Sequence, residues 1–129
     1  MMGIPLAARM RIVEGDFFTD PIPEGQDAVI VAHVVHLFLP EHNLELFRRI
    51  RARVRERARL LLVDLWTNPT HTQPLLAALA AGEFLLFTGT GDVYSVEEAQ
   101  GWLQQTGWRL VTHEPLTGPE SLIIAETAE

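Results

Sequence analysis

A nearly unbroken apolar run, residues 27–35 (DAVIVAHVV), constrains this chain more than any other feature. Valine and isoleucine favour extended backbone, and a run without polar alternation leaves neither face suited to water. Such a segment suits a strand buried on both faces, as in a parallel sheet. Residues 60–65 (LLLVDL) read the same way. Parallel neighbours need long crossovers, usually helical, and helical patterns do lie between and after these runs. Pro40 and Glu41 open one, with Leu44, Phe47, Ile50 and Val54 at near-helical spacing and arginines between them. Residues 73–87 form a second, rich in alanine and leucine. Ser95 opens a third as a capping box with Glu98, and Gly107 suits its C-terminal cap.

Shorter elements complete the frame. Residues 11–14 read as a short strand ended by Gly15 and Asp16, followed by turn chemistry at Asp20-Pro21 and Pro23-Glu24-Gly25. Residues 108–113 and 121–126 read as an antiparallel pair joined by a turn at 115–119. The alternation predicts an α/β domain, with helices on the faces of a mostly parallel sheet that ends in an antiparallel hairpin. Without a repeat or linker, residues 1–129 are expected to form a single domain.

Composition narrows the chemistry. The chain has no cysteine, which excludes disulfides and thiolate metal sites. It has no lysine, and seven of its ten arginines fall between Arg48 and Arg59, in a chain of net charge −7. A mostly acidic chain repels phosphate backbones, so nucleic acid is not an expected partner, and the arginine run reads as the wet face of a helix. No apolar run reaches the roughly 20 residues that span a bilayer, and the N-terminus lacks a secretory pattern. A cytoplasmic location without a membrane partner is the expectation. His33 and His36 stand three apart. On a strand that spacing sends them to opposite faces, so no metal site is expected.

Several motifs together resemble one family. Gly15-Asp16-Phe17-Phe18, His33-Val34-Val35-His36 followed by Leu37-Phe38, residues 60–64, residues 88–95 followed by Gly107-Trp108, and Gly118-Pro119 with Ser121-Leu122-Ile123 are similar, in that order, to motifs of small-molecule O-methyltransferases. These are class I S-adenosylmethionine-dependent enzymes of the plant phenylpropanoid and bacterial polyketide-tailoring type. The resemblance runs from about residue 10 to 126. It implies a Rossmann-like methyltransferase fold with S-adenosylmethionine as cofactor and a small hydroxylated acceptor. It makes His36 the general base and Asp64 the acid that orients it, which suits a histidine titrating near neutrality and paired with a carboxylate. It places Asp16 and Phe17 against the adenine ring, and Glu83 and Phe84 against the methyl acceptor. From the residues alone, Asp16 also reads as a turn cap and Phe17 as core. Leu76, Leu79 and Leu86 read as core.

The sequence also departs from the family pattern. Leu37 follows the base where aspartate is usual, and Val93 replaces a second acid. Glu56-Arg57-Ala58 replaces a glycine-containing turn, and Ala32 replaces a polar residue. No glycine-rich loop of the cofactor-gripping kind precedes Gly89-Thr90-Gly91. The expected fold is therefore truncated, without the first two strands and that loop, and the apolar strand at 27–35 should have an open edge. A second copy, a partner chain, or residues 11–14 folding back would cover it. Two functions follow: the C-terminal catalytic segment of an O-methyltransferase, or a non-catalytic module that self-associates or regulates an intact enzyme. A small acid–base enzyme reusing His36 and Asp64 is a third.

Overall fold

The computed structural model describes residues 6–129. A short helix α1 (Leu6–Arg9) leads through irregular chain to β1 (Gln26–Ala32) and a single 3-10 turn (Val35–Leu37). Then come α2 (Pro40–Arg51), β2 (Val54–Asp64), α3 (Leu75–Thr88), α4 (Val96–Gln105), β3 (Trp108–Pro115) and β4 (Ser121–Thr127). The strands form one mixed sheet in the order β1-β2-β4-β3. β1 is parallel to β2, and β4 lies antiparallel to both its neighbours, so β1, β2 and β3 run the same way.

One face of the sheet carries the core. Period-two alternation along β2 buries Leu60 and Leu62, and β4 adds Ile123 and Ala125. Against them pack Leu46, Phe47 and Ile50 of α2 and Trp102 and Leu103 of α4. The capping box at Ser95 and Glu98 starts α4 as the sequence predicts, with both reciprocal bonds at 3.0 Å. Gly107 follows its end with φ of 88°, a backbone state that costs other residues.

Four sequence expectations need correction. Residues 11–14 form no strand and pair with nothing in the sheet; all four are exposed, so no burial holds them extended. They therefore do not cover β1. β1 stops at Ala32 rather than reaching Val35, and although it has the open edge expected of it, its two faces are not buried. Only Val31 is buried, and Ile30 is 66% exposed. The apolar run was made to be covered, but among the described residues only β2 lies beside it.

The arginine run is not one helical face. α2 ends at Arg51, and β2 begins at Val54, so Arg55, Arg57 and Arg59 lie along a strand on its exposed side. Arg57 takes a left-handed φ of 64° at an irregularity in the β1–β2 register, standing where the family turn would use glycine. The guanidinium groups act as clasps. Arg49 donates to the Phe17 and Asp20 carbonyls at 2.9 and 2.6 Å, Arg53 to Ile22 at 2.7 Å, and Arg51 to Gly107 at 2.9 Å. The irregular N-terminal stretch is thus tied down by planar multi-donor groups, a task lysine performs less well.

Finally, α3 is not core. Leu76, Leu79 and Leu86 are exposed, Leu86 at 88%, and only Ala77 is buried. Apolar composition marks these residues for burial without saying which surface buries them.

Candidate active site

The C-terminal end of β1 is where the chain turns into chemistry. His33 adopts φ of 56°, a left-handed state that ends the strand, while its N–H still donates to the Val63 carbonyl at 2.9 Å. The chain then folds into the 3-10 turn that carries His36. The three carbonyls of this turn and that of Phe38 just after it each accept a hydrogen bond from elsewhere in the chain. Val35 accepts from the Asn43 amide at 3.1 Å, His36 from the Asp92 N–H at 3.0 Å, Leu37 from the Thr90 hydroxyl at 2.8 Å, and Phe38 from the Tyr94 hydroxyl at 2.5 Å. Burial, then the nearby carboxylates of Asp92, Glu98 and Glu41, push the Tyr94 phenol up to about 12. It stays protonated and remains a donor at any physiological pH. Asn43 is fully buried on α2. None of these holding residues was singled out from the sequence; the spacing of a loop says little about which carbonyls it will meet.

The turn presents His36 to Asp64, the last residue of β2. Nδ1 of His36 lies 2.8 Å from Oδ1 of Asp64, and the pair is buried, at 8% and 2% exposure. Asp64 also accepts from the His36 N–H at 3.3 Å and the Leu65 N–H at 2.8 Å. An acceptor-only carboxylate on Nδ1 fixes the tautomer with hydrogen there and leaves Nε2 as the basic nitrogen. Both residues sit at C-terminal ends of parallel strands, where open α/β sheets hold ligands.

Phe84 of α3 stacks on the His36 ring, with centroids 4.0 Å apart and planes 13° from parallel. Glu83 is exposed and lies outside the cluster formed by His33, His36 and Asp64. Asp16 and Phe17 do not reach the pair. Asp16 caps its own turn by accepting from the Phe18 N–H at 2.8 Å, and Phe17 stands 37% exposed. Phe17 is nonetheless linked to the His36 turn, because Phe17 and Phe18 both meet Phe38 edge-on, at 5.9 and 5.1 Å. Val93, at the position of the second acid, is fully buried. A cleft of about 600 Å³ is lined by Trp66, Asn68, Gln73, His113, Glu120 and Ser121, and by neither His36 nor Asp64. Ser121 is the register partner of Asp64.

Gly91 shows how tightly the α3–α4 loop is seated on this turn. A Cβ there would lie 2.6 Å from the Thr88 hydroxyl and 2.7 Å from the His36 carbonyl. Gly91→Ala should therefore cost about 1–3 kcal/mol through overpacking, read as a lowered denaturant midpoint. An unchanged midpoint would mean that the loop is not held against the turn.

A family profile described as an O-methyltransferase domain matches residues 2–109. The chain belongs to this O-methyltransferase family. It is 29% identical over 124 residues to the tetracenomycin polyketide synthesis 8-O-methyl transferase TcmO of Streptomyces glaucescens, covering 96% of this chain and 36% of that protein. The solved mitomycin 7-O-methyltransferase MmcR superposes with a TM-score of 0.85 at 29% identity, over 95% of this chain and 35% of that one. Human N-acetylserotonin methyltransferase, solved in complex with S-adenosylmethionine, gives 0.84 at 26% identity, over 91% of this chain and 33% of that one. The chain thus spans about a third of the length of these relatives, and its mixed sheet and helices match part of the methyltransferase fold. No helix among the described residues is long and apolar enough to cross a membrane.

Proposed function

We propose that this chain is the C-terminal part of the catalytic domain of an S-adenosylmethionine-dependent O-methyltransferase acting on a small hydroxylated molecule. The observation that carries this reading is the buried His36–Asp64 pair at the ends of two parallel strands. His36 is the general base, and Asp64 orients it and stabilises the imidazolium that forms. An acceptor hydroxyl loses its proton to Nε2 of His36 as its oxygen becomes the nucleophile, a step worth roughly 10²–10⁴ in rate. Phe84 offers a ring face to an aromatic acceptor. Glu83, exposed on the same helix, can meet a polar substituent at the rim.

The residues present fit the adenine end of the cofactor. Asp16 is exposed with one carboxylate oxygen engaged by Phe18, leaving the other to accept from an amino group, and the half-open Phe17 ring is beside it. Asp16 and Phe17 would hold that ring; when bound, S-adenosylmethionine supplies the electrophilic methyl. Calorimetric titration tests this. Binding tighter than about 100 µM, near −5.5 kcal/mol, is expected, with Asp16→Ala weaker by about tenfold or more for a lost charged hydrogen bond. Binding indifferent to Asp16 would overturn the adenine assignment. Absence of binding would mean that this chain alone does not hold the cofactor.

One observation favours the second reading, a module that associates with another chain. α3 exposes Leu75, Leu76, Leu79, Leu85, Leu86 and Phe87, and its only charge is Glu83. A helix apolar all round is normally enclosed. Either a second copy or the remainder of a methyltransferase fold would enclose it, together with the open edge of β1.

A further inference from the structure

We propose that the end of β1 and β2 is also a binding site for a borderline divalent cation such as Zn²⁺, held by His33, His36 and Asp64. One ligand atom from each of these three residues lies within 4.8 Å of the other two. The strand argument against a metal fails here, because β1 ends at Ala32 and neither histidine is on a strand. His33 takes its left-handed φ of 56°, and this turn back brings the two imidazole rings to 6.0 Å centroid separation. A histidine held in a sparsely populated backbone state beside a buried acid–base pair is strain placed at a site, and such strain invites a functional account. Nothing in the acid–base reading uses His33.

The donor set suits the cation. Two imidazoles and a carboxylate, without thiolate, match Zn²⁺, Co²⁺ or Ni²⁺ rather than Mg²⁺ or Ca²⁺, which favour oxygen. Ligand atoms on one tetrahedral zinc stand about 3.3 Å apart, so the widest separation must close by about 1.5 Å. The larger movement falls to His33, whose side chain is 51% exposed, while the buried His36–Asp64 contact opens slightly from its 2.8 Å. The ion takes the place of the hydrogen between Nδ1 of His36 and Oδ1 of Asp64, now 2.8 Å apart, and Nε2 takes up a proton as Nδ1 gives one up, so the imidazole stays neutral and no net proton is released. Asp64 keeps its bond from the Leu65 N–H. Glu120, with Oε1 3.9 Å from Nε2 of His33, lies close enough to stabilise the added charge.

Cation binding does not depend on the methyltransferase reading, but its consequence does: an ion on this pair removes the base and silences methyl transfer reversibly. The test is titration of the purified chain with Co²⁺, read by visible absorption, and with Zn²⁺ by calorimetry in two buffers of different ionisation enthalpy. One equivalent should bind, with no net proton release where both imidazoles are neutral and tighter binding as pH rises toward that range. His33→Asn keeps a residue that tolerates left-handed backbone and should weaken binding by at least about tenfold, as should His36→Asn. His71→Ala and His113→Ala should leave it unchanged, with circular dichroism confirming the fold of each variant. Absence of stoichiometric binding overturns the proposal. So does binding that survives both site variants, or that falls equally in all four. Methyl transfer without cation binding would sink this inference alone; cation binding without methyl transfer would sink only the catalytic reading.

Discussion

His36→Asn should lower methyl transfer by roughly 10²–10⁴-fold while leaving cofactor affinity and oligomeric state unchanged. The substitution removes the one basic nitrogen that the buried pair presents and touches neither the Asp16–Phe17 turn nor the exposed side of α3. Asp64→Asn should fall in the same direction, because an amide can present its donor to Nδ1 and favour the wrong tautomer. Initial rates with S-adenosylmethionine and a phenolic acceptor, alongside sedimentation velocity, separate the two proposed functions. Turnover lost with association intact supports catalysis at His36. Turnover retained in the variant would remove His36 as base. A wild-type chain that associates but never turns over would leave the interaction module as the better account.

How much of this was legible in the sequence differs from element to element. Local rules were enough for α4, where Ser95, Glu98 and Gly107 encode start and stop within one segment, and for the β3–β4 hairpin. The pairing of His36 with Asp64, 28 residues apart in sequence, came from the resemblance, and the coordinates place the two in hydrogen-bond contact. What local pattern could not supply was the environment. The 27–35 run has the composition of a covered strand, yet Ile30 faces outward because covering depends on what lies alongside. The leucines of α3 err in the same way. The arginine run misled through period: between Ala52 and Val54 the repeat changes from helical to alternating, and alternating arginines resemble either. The end of β1 was hidden for another reason. A non-glycine residue in left-handed backbone carries no compositional signal, so His33 looked like strand and the convergence of both histidines on Asp64 went unread.

The largest expected loss of stability comes from Trp108→Ala. Trp108 is almost fully buried as the first residue of β3, and its indole N–H donates to the Phe47 carbonyl at 3.1 Å. It therefore ties the sheet to α2, the helix that follows the His36 turn and supplies Asn43 to it. Truncating a buried tryptophan costs about 3–5 kcal/mol, against a total of roughly 5–15 kcal/mol for a domain. The corresponding fall in Tm is about 10–20 °C. Trp108→Phe keeps a buried six-membered ring while removing the donor and the fused ring that carries it. The Phe47 carbonyl remains within α2, where the helical bond still engages it, so this variant should lose about 1–3 kcal/mol, less than Trp108→Ala. Equal losses in the two variants would mean that the donor and its fused ring, not the remaining six-membered ring, join α2 to the sheet. A loss under about 1 kcal/mol in Trp108→Ala would mean that α2 is held chiefly by Phe47 and Ile50, and that the His36 turn rests on those two side chains.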